Sequence, residues 1–175
     1  MKTKAGILIL SDKGARGERQ DLCTDILRTH LEKNDYTVSD ARILPDDYDG
    51  IVAALQEMAE HCALLLTSGG TGLSPRDNTP EATMAVATKS VPGIAEAMRA
   101  YSMQFTDRAM LSRACAVIRN RTLIINLPGS PKALEETLAF ILPPVKHGVE
   151  ILLEQDADCA RTGDTKSQSH EGGTL

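Results

Sequence analysis

Apolar residues fall in two alternating patterns along this chain. Short unbroken runs are separated by segments in which apolar residues recur every three or four positions. The first run is Ala5-Gly6-Ile7-Leu8-Ile9-Leu10, stopped by Ser11-Asp12-Lys13. A run apolar on both alternating faces predicts a fully buried parallel strand. After the glycine-bearing loop Ser11–Gly17, the positions Leu22, Ile26, Leu27 and Leu31 predict a helix between Gln20 and Glu32, with His30 as a structural residue beside its apolar face. Tyr36 to Leu44 alternates weakly and predicts a second strand, ended by Pro45-Asp46-Asp47-Tyr48-Asp49. A helix over residues 50–60 follows, with Asp49 as its cap and Ile51, Val52, Leu55, Met58 and Ala59 as its buried face. Ala63 to Thr67 predicts a third strand running into Ser68-Gly69-Gly70-Thr71-Gly72.

Thr79-Pro80-Glu81 carries a helix start: a capping hydroxyl, a proline in the first turn and an acid near the positive end. Pro92-Gly93 opens another helix whose stripe Ile94, Met98, Tyr101 and Phe105 reads as core. Residues 114–118 and 122–127 predict two strands joined by the tight turn Arg119-Asn120-Arg121, hence an antiparallel pair. A helix is expected from Lys132 to about Leu142, a break at Pro143-Pro144, and a last helix to about Leu153. Beyond Gln155 the chain turns polar, so the expected organisation is one domain over 1–155 and a disordered tail over 156–175. Strands alternating with helices predict an α/β three-layer sandwich: a mostly parallel sheet with one antiparallel strand and helices on both faces.

Composition narrows the partners. Lys and Arg number 19 and Asp and Glu 24, a formal charge of −5. No basic footprint for nucleic acid is expected, and with three Tyr, two Phe and no Trp, base stacking is disfavoured as well. An anionic substrate must be gripped locally, against the overall field. The N-terminal apolar run is too short for a signal segment or a membrane span, which predicts a soluble cytoplasmic protein with no membrane partner. Cys23, Cys62, Cys115 and Cys159 are widely spaced with no CxxC pair, and the four histidines are scattered. Reduced structural thiols are expected, not a disulfide framework or a zinc site.

The unusual residues sit in loops after strand ends, where open α/β sheets bind ligands. In Ser68-Gly69-Gly70-Thr71-Gly72-Leu73-Ser74-Pro75-Arg76-Asp77, three glycines within four positions allow backbone amides to converge on a phosphate. No Gly-Lys-Ser/Thr follows, so this is not a P-loop, and a plain glycine-rich turn is the competing reading. Asp77 follows the loop and Asp46 is expected at the end of the neighbouring strand, and two acids beside a phosphate nest are how Mg²⁺ is commonly shared with a nucleotide. Taken singly, each acid reads equally well as a turn or cap residue. Pro128-Gly129-Ser130-Pro131-Lys132 opens a helix whose N-terminus favours an anion, with Lys132 as an added charge. Ser112-Arg113 places a hydroxyl and a guanidinium near the same edge, although Arg113 serves equally as a surface ion-pair residue.

These stretches, ILILSDKGARG, ILPDD, LLLTSGGTGLSPRDNTPEAT, MLSRACAVIRNRTLIINLPGSPKA and PPVKH, together resemble the molybdopterin adenylyltransferase family of molybdenum-cofactor biosynthesis, which includes the N-terminal domain of gephyrin. They run in family order over roughly residues 5–150. The resemblance implies a homotrimer that binds molybdopterin and ATP with Mg²⁺, transfers AMP to the terminal phosphate of molybdopterin and releases pyrophosphate. It also implies a downstream metal-insertion protein as a partner. Carried over, Asp46 and Asp77 are the catalytic, Mg²⁺-linked acids; Gly69, Gly70, Thr71 and Gly72 cradle phosphate; Gly129 and Ser130 line the nucleotide side. Ser11, Asp12, Ser112 and Lys132 fall at the substrate edge. Two departures stand out. Asp21-Leu22-Cys23-Thr24 replaces the family's Asp-x-Ser-Gly, and Pro45-Asp46-Asp47 replaces its Pro-Asp-Glu.

Two other readings compete: a non-catalytic molybdopterin or cofactor carrier of the same fold, and a hydrolase of nucleotide pyrophosphates with a similar glycine loop. The Pro75-Arg76-Asp77-Asn78-Thr79-Pro80 and Leu127-Pro128-Gly129-Ser130-Pro131 segments weigh against the hydrolase.

Overall fold

A computed structural model describes residues 2–153, so the tail expected over 156–175, and Cys159 within it, lie outside the described residues. The elements are β1 (Thr3–Leu10), α1 (Asp12–Ala15), α2 (Cys23–Lys33), β2 (Tyr36–Leu44), α3 (Tyr48–Ala59), β3 (Leu64–Ser68), α4 (Thr79–Ala85), β4 (Lys89–Ser90), α5 (Pro92–Ser102), β5 (Ala116–Arg119), β6 (Thr122–Leu127) and α6 (Pro131–Leu152), with a 3₁₀ turn at Asp107–Leu111. The sheet order is β2-β1-β3-β6-β5-β4. β2, β1, β3 and β6 pair in parallel, whereas β5 runs against both β6 and β4. One strand is therefore reversed, as the pattern predicts. Its hairpin with β6 turns through Asn120, whose φ of 52° is left-handed.

The unbroken apolar runs are buried because both faces of the sheet are covered. Alternate residues go to opposite sides. Ile7, Ile9, Leu64 and Leu66 meet Leu27 and Leu31 of α2, Met98 of α5, and Leu134, Leu138 and Ile141 of α6. Leu8, Leu10 and Leu65 meet Ile51, Leu55 and Met58 of α3 and Ala82 of α4. The three layers follow from this division.

The structure corrects several local expectations. Leu22 is half exposed and ends up outside α2, while Cys23 takes the buried place. Asp47, not Asp49, caps α3: its side chain accepts the Gly50 N–H at 2.9 Å. Phe105 lies beyond α5, 55% exposed, edge-on to Tyr101. Pro143 and Pro144 do not break α6, which runs unbroken for 22 residues. Ala139 and Phe140, whose carbonyls lose their i+4 donors, are exposed, while Leu138, Ile141, Leu142 and Val145 are buried. Water can therefore satisfy the two carbonyls, and the packed face holds the helix through the prolines.

The topology creates two crevices. The connection after β1 returns through α2 on one face, and β6 is followed by α6 on that same face. The helix after β3, α4, lies on the other face. β3 sits between β1 and β6, so its chain departs from both neighbours and opens a switch point on each side.

Candidate active site

The loop after β3 is forced into place by its glycines. Gly69 has φ 106° and Gly70 φ 63°, both left-handed. A Cβ on Gly69 would overlap the Leu10 carbonyl, and one on Gly70 would strike Thr79 Oγ1 and approach Asp46 Oδ1 to 3.0 Å. Only glycine admits this combination of conformation and close approach. Thr79 Oγ1 donates to the Gly69 carbonyl at 3.0 Å and the Thr79 N–H to that of Gly70 at 3.2 Å, so the start of α4 clamps the loop.

The acids converge here. Asp46 and Asp12 exchange bonds: the Asp12 N–H donates to Asp46 Oδ2 at 3.3 Å, and the Asp46 N–H to Asp12 Oδ1 at 3.0 Å. Arg76 grips both oxygens of Asp12, at 2.7 and 2.9 Å through Nη2. That guanidinium holds the Asp12 carboxyl below the usual range. Asp46 behaves oppositely. Burial, and then the charges of Asp12 and Asp77, push its carboxyl above the usual range. Its Oδ1 is shielded from solvent and has no hydrogen-bond partner. Asp77 comes from the other side, its Oδ2 accepting the Gly72 N–H at 2.9 Å.

Among the described residues no three acids, histidines or cysteines gather into a metal cage. The donor set instead suits a cation shared with a ligand. Asp46 has an orphaned oxygen and a carboxyl made costly to ionise by its surroundings, and Asp77 leaves one oxygen without a protein donor. Two carboxylates with remaining positions left to phosphate and water match the preference of Mg²⁺.

Two pockets meet at Gly129, one in each crevice. The first, about 330 Å³, lies between Thr71-Gly72, Pro128–Ser130 and α5; Ala95, Met98, Leu111 and Ala114 give it an apolar wall. The second, about 300 Å³, lies beside α1 and is lined by polar groups of Ser11, Arg19, Gln20, Asp21 and Ser68. Of the residues expected from sequence, Thr71, Gly72, Ser112, Gly129 and Ser130 line the first pocket. Ser11, Gly69 and again Gly129 line the second. Gly70, Asp12, Asp46 and Asp77 form the seam already described. Lys132 is exposed in the first turn of α6 and lines neither pocket. The Ser68 hydroxyl is spent on the Pro128 carbonyl at 2.9 Å, which ties the two loops together.

Arg99 and Asn126 carry the site without having been singled out from sequence, and the departing Asp21-Leu22-Cys23-Thr24 segment also contributes to it. Arg99 donates to the carbonyls of Ser112 and Ala114 and shapes the far wall of the apolar pocket. Asn126, fully buried in β6, donates to Thr67 Oγ1 at 3.0 Å and Thr83 Oγ1 at 2.8 Å and accepts from Cys115. It pins α4 to the sheet directly under the loop. An asparagine inside an apolar strand was the available signal. Asp21 Oδ1 accepts the N–H groups of Cys23 and Thr24, starting α2 beside the polar pocket. Cys23 stands where the family pattern has serine; its Sγ lies 3.7 Å from the Gly129 carbonyl, and burial pushes its thiol up, away from thiolate chemistry.

A family model described as "Probable molybdopterin binding domain" matches residues 6–147. The chain is 43% identical over 139 residues to a molybdopterin adenylyltransferase of Haemophilus influenzae, covering 77% of this chain and 71% of that protein. It is 41% identical over 154 residues to the molybdopterin adenylyltransferase of Escherichia coli K12, covering 83% and 79%. Among solved structures, the molybdopterin biosynthesis enzyme MoaB of Thermus thermophilus superposes with a TM-score of 0.82 at 44% identity, covering 87% of this chain and 97% of that one.

Proposed function

The chain belongs to the molybdopterin-binding domain family, and on that premise we infer that it is a molybdopterin adenylyltransferase, a nucleotidyltransferase of molybdenum-cofactor biosynthesis. The single observation that carries a catalytic reading over simple binding is the acid seam: Asp46, with an orphaned and hard-to-ionise carboxyl, faces Asp77 across a glycine loop between two pockets.

An oxygen of the terminal phosphate of molybdopterin attacks the α-phosphorus of ATP. The bond from that phosphorus to the β-phosphate bridging oxygen breaks, and pyrophosphate leaves with the electron pair. The new linkage joins AMP to molybdopterin. Such a transfer needs alignment and charge neutralisation, not a protein nucleophile. The thiols near the site fit that requirement, since desolvation pushes Cys23 and Cys115 up, the latter to about 11.

The apolar pocket suits adenosine, whose ring is flat and largely apolar on its faces; Met98, Ala95 and Ala114 would flank it. The polar pocket suits the pterin, which is rich in donors and acceptors; Ser11, Arg19 and Asp21 would meet it. The two reacting phosphates would then meet over Gly69–Gly72 and Gly129–Ser130, at the N-terminus of the 22-residue α6. Asp46 and Asp77 would hold Mg²⁺, which supplies charge neutralisation on the phosphates when bound.

The homotrimer, the cytoplasmic location and the downstream metal-insertion partner belong to the same reading. An apolar groove of about 460 Å³ between α5 and α6, edged by Phe140 and Ile151, offers a face for subunit contact. Among the described residues no helix is long and apolar enough to cross a membrane.

The test is direct. Full-length protein with molybdopterin, ATP and Mg²⁺ should yield adenylated molybdopterin and one pyrophosphate per turnover. Asp77→Asn should lower kcat by about 10³-fold with the fold kept, the scale expected for losing a charge-stabilising metal ligand. Folded wild-type protein that binds molybdopterin but releases no pyrophosphate would leave only the carrier reading.

A further inference from the structure

One arginine meets the glycine loop and its acid at three points and α4 at a fourth. The Arg113 backbone N–H donates to the Thr71 carbonyl at 2.9 Å. Its Nε donates to the Gly72 carbonyl at 2.7 Å and its Nη2 to the Asp77 carbonyl at 2.6 Å. Its Nη1 pairs with the Glu81 carboxylate in α4. The Gly72–Asp77 segment is thus closed twice. On one side the guanidinium spans the two terminal carbonyls. On the other, the Gly72 N–H reaches the Asp77 carboxylate.

These contacts use the directions of a guanidinium. Its donors lie in one plane at fixed angles, so holding three partners fixes their mutual spacing. An ammonium at the same site carries the charge but has one nitrogen, and cannot span Gly72, Asp77 and Glu81 together. Arg113 itself lines neither pocket. Its neighbour Ser112 does line the apolar pocket. The strand-side chain at 112–114 is therefore coupled to the loop through this one residue.

We propose that Arg113 is a positioning residue for adenylyl transfer: by tying the Gly72 and Asp77 carbonyls to Glu81, it sets where the Asp77 carboxylate stands relative to the loop amides. The proposal rests on the transferase reading above. It differs from a surface ion pair in what it predicts. A surface pair is replaceable by lysine, whereas a geometric clamp is not.

The experiment uses the full chain as wild type, Arg113→Lys and Arg113→Ala. Arg113→Lys should keep its circular-dichroism spectrum and melt within a few degrees of wild type. Its kcat should fall about 100-fold, the cost of misplacing a reacting group by about 1 Å, with KM for molybdopterin unchanged. Half-maximal rate should need more Mg²⁺. Free guanidinium should restore part of the kcat of Arg113→Ala. Independently of any substrate, exchange of the Gly72 amide should quicken about tenfold or more in Arg113→Lys, because its carboxylate partner is no longer held. Arg113→Lys with kcat within about threefold of wild type overturns the proposal, as does a rate loss matched by loss of folded protein. Unchanged Gly72 exchange overturns it too. Absence of turnover in wild type would sink the transferase reading instead, while the exchange comparison would still decide whether Arg113 sets the loop.

Discussion

The pocket beneath α5 and the pocket beside α1 share Gly129, yet they are made of different material. The first is walled by Ala95, Met98 and Ala114, residues that also belong to the hydrophobic core and are 3%, 5% and 6% exposed. Its wall stabilises the fold and shapes a cavity with the same atoms. The second adds Ser11, Arg19, Gln20 and Asp21 from loop segments to a floor of the buried residues Ile9, Leu10 and Cys23. Between them Asp46 works against stability, because its carboxyl is held in surroundings that raise its proton affinity. Both pockets borrow walls from the core at little folding cost, and the cost is concentrated where charge is to be handled, at the seam between them.

That contrast can be broken, most forcefully at the seam. Asp46→Asn should cut kcat by about 10²–10³-fold if Asp46 shares the cation as proposed. It should also raise the melting temperature. The sign follows from linkage: a folded-state pKa above the unfolded one means that ionising Asp46 opposes folding at higher pH. The gain should be present near pH 8 and shrink as pH falls through the raised pKa, as thermal melts across pH would show. A lower melting temperature at pH 8 would refute the stability half. Next in size, Ala133→Phe, in the first pocket where α6 begins, should raise KM for ATP about tenfold by filling the cavity, with KM for molybdopterin unchanged. Equal shifts for both substrates would merge the two pockets into one site. Smallest, Arg19→Ala should lower kcat/KM for molybdopterin by about threefold, an effect carried by association rate and lost at high salt. A loss expressed for ATP instead would reverse the assignment.

Much of this was legible from residue order because the signals were local. β1, β3 and β6 read as strands since sheet burial on both sides demands continuous apolar runs. Thr79-Pro80-Glu81 does start α4, although Asn78 takes the cap position and the Thr79 hydroxyl bonds the Gly69 carbonyl instead, and the glycine loop does take left-handed φ. β4 was illegible: it has two exposed residues, Lys89 and Ser90, and exists only because β5 offers it an edge. The proline pair misled because a breaker's local cost was outweighed by the buried residues around it. At the site, acids and glycines stood out by being unusual. Met98 did not, since a core stripe and a pocket wall share one periodicity. Arg113 carried no pattern that separated a clamp from a surface charge.

The sequence by itself determined the alternation of elements, the reversed strand, the loop that only glycine can make, and the acids beside it. These depend on side-chain period and on allowed φ, which neighbouring residues decide. Tertiary structure alone decided that β3 sends its helix to the opposite face from the helices following β1 and β6, and so opens a crevice on each side. It decided that Arg76 grips Asp12 across 64 positions and Arg113 grips Gly72 across 41. Such partners are chosen by packing of the whole sheet, because a charged side chain near many candidates goes where the fold places a matching acceptor at hydrogen-bond distance.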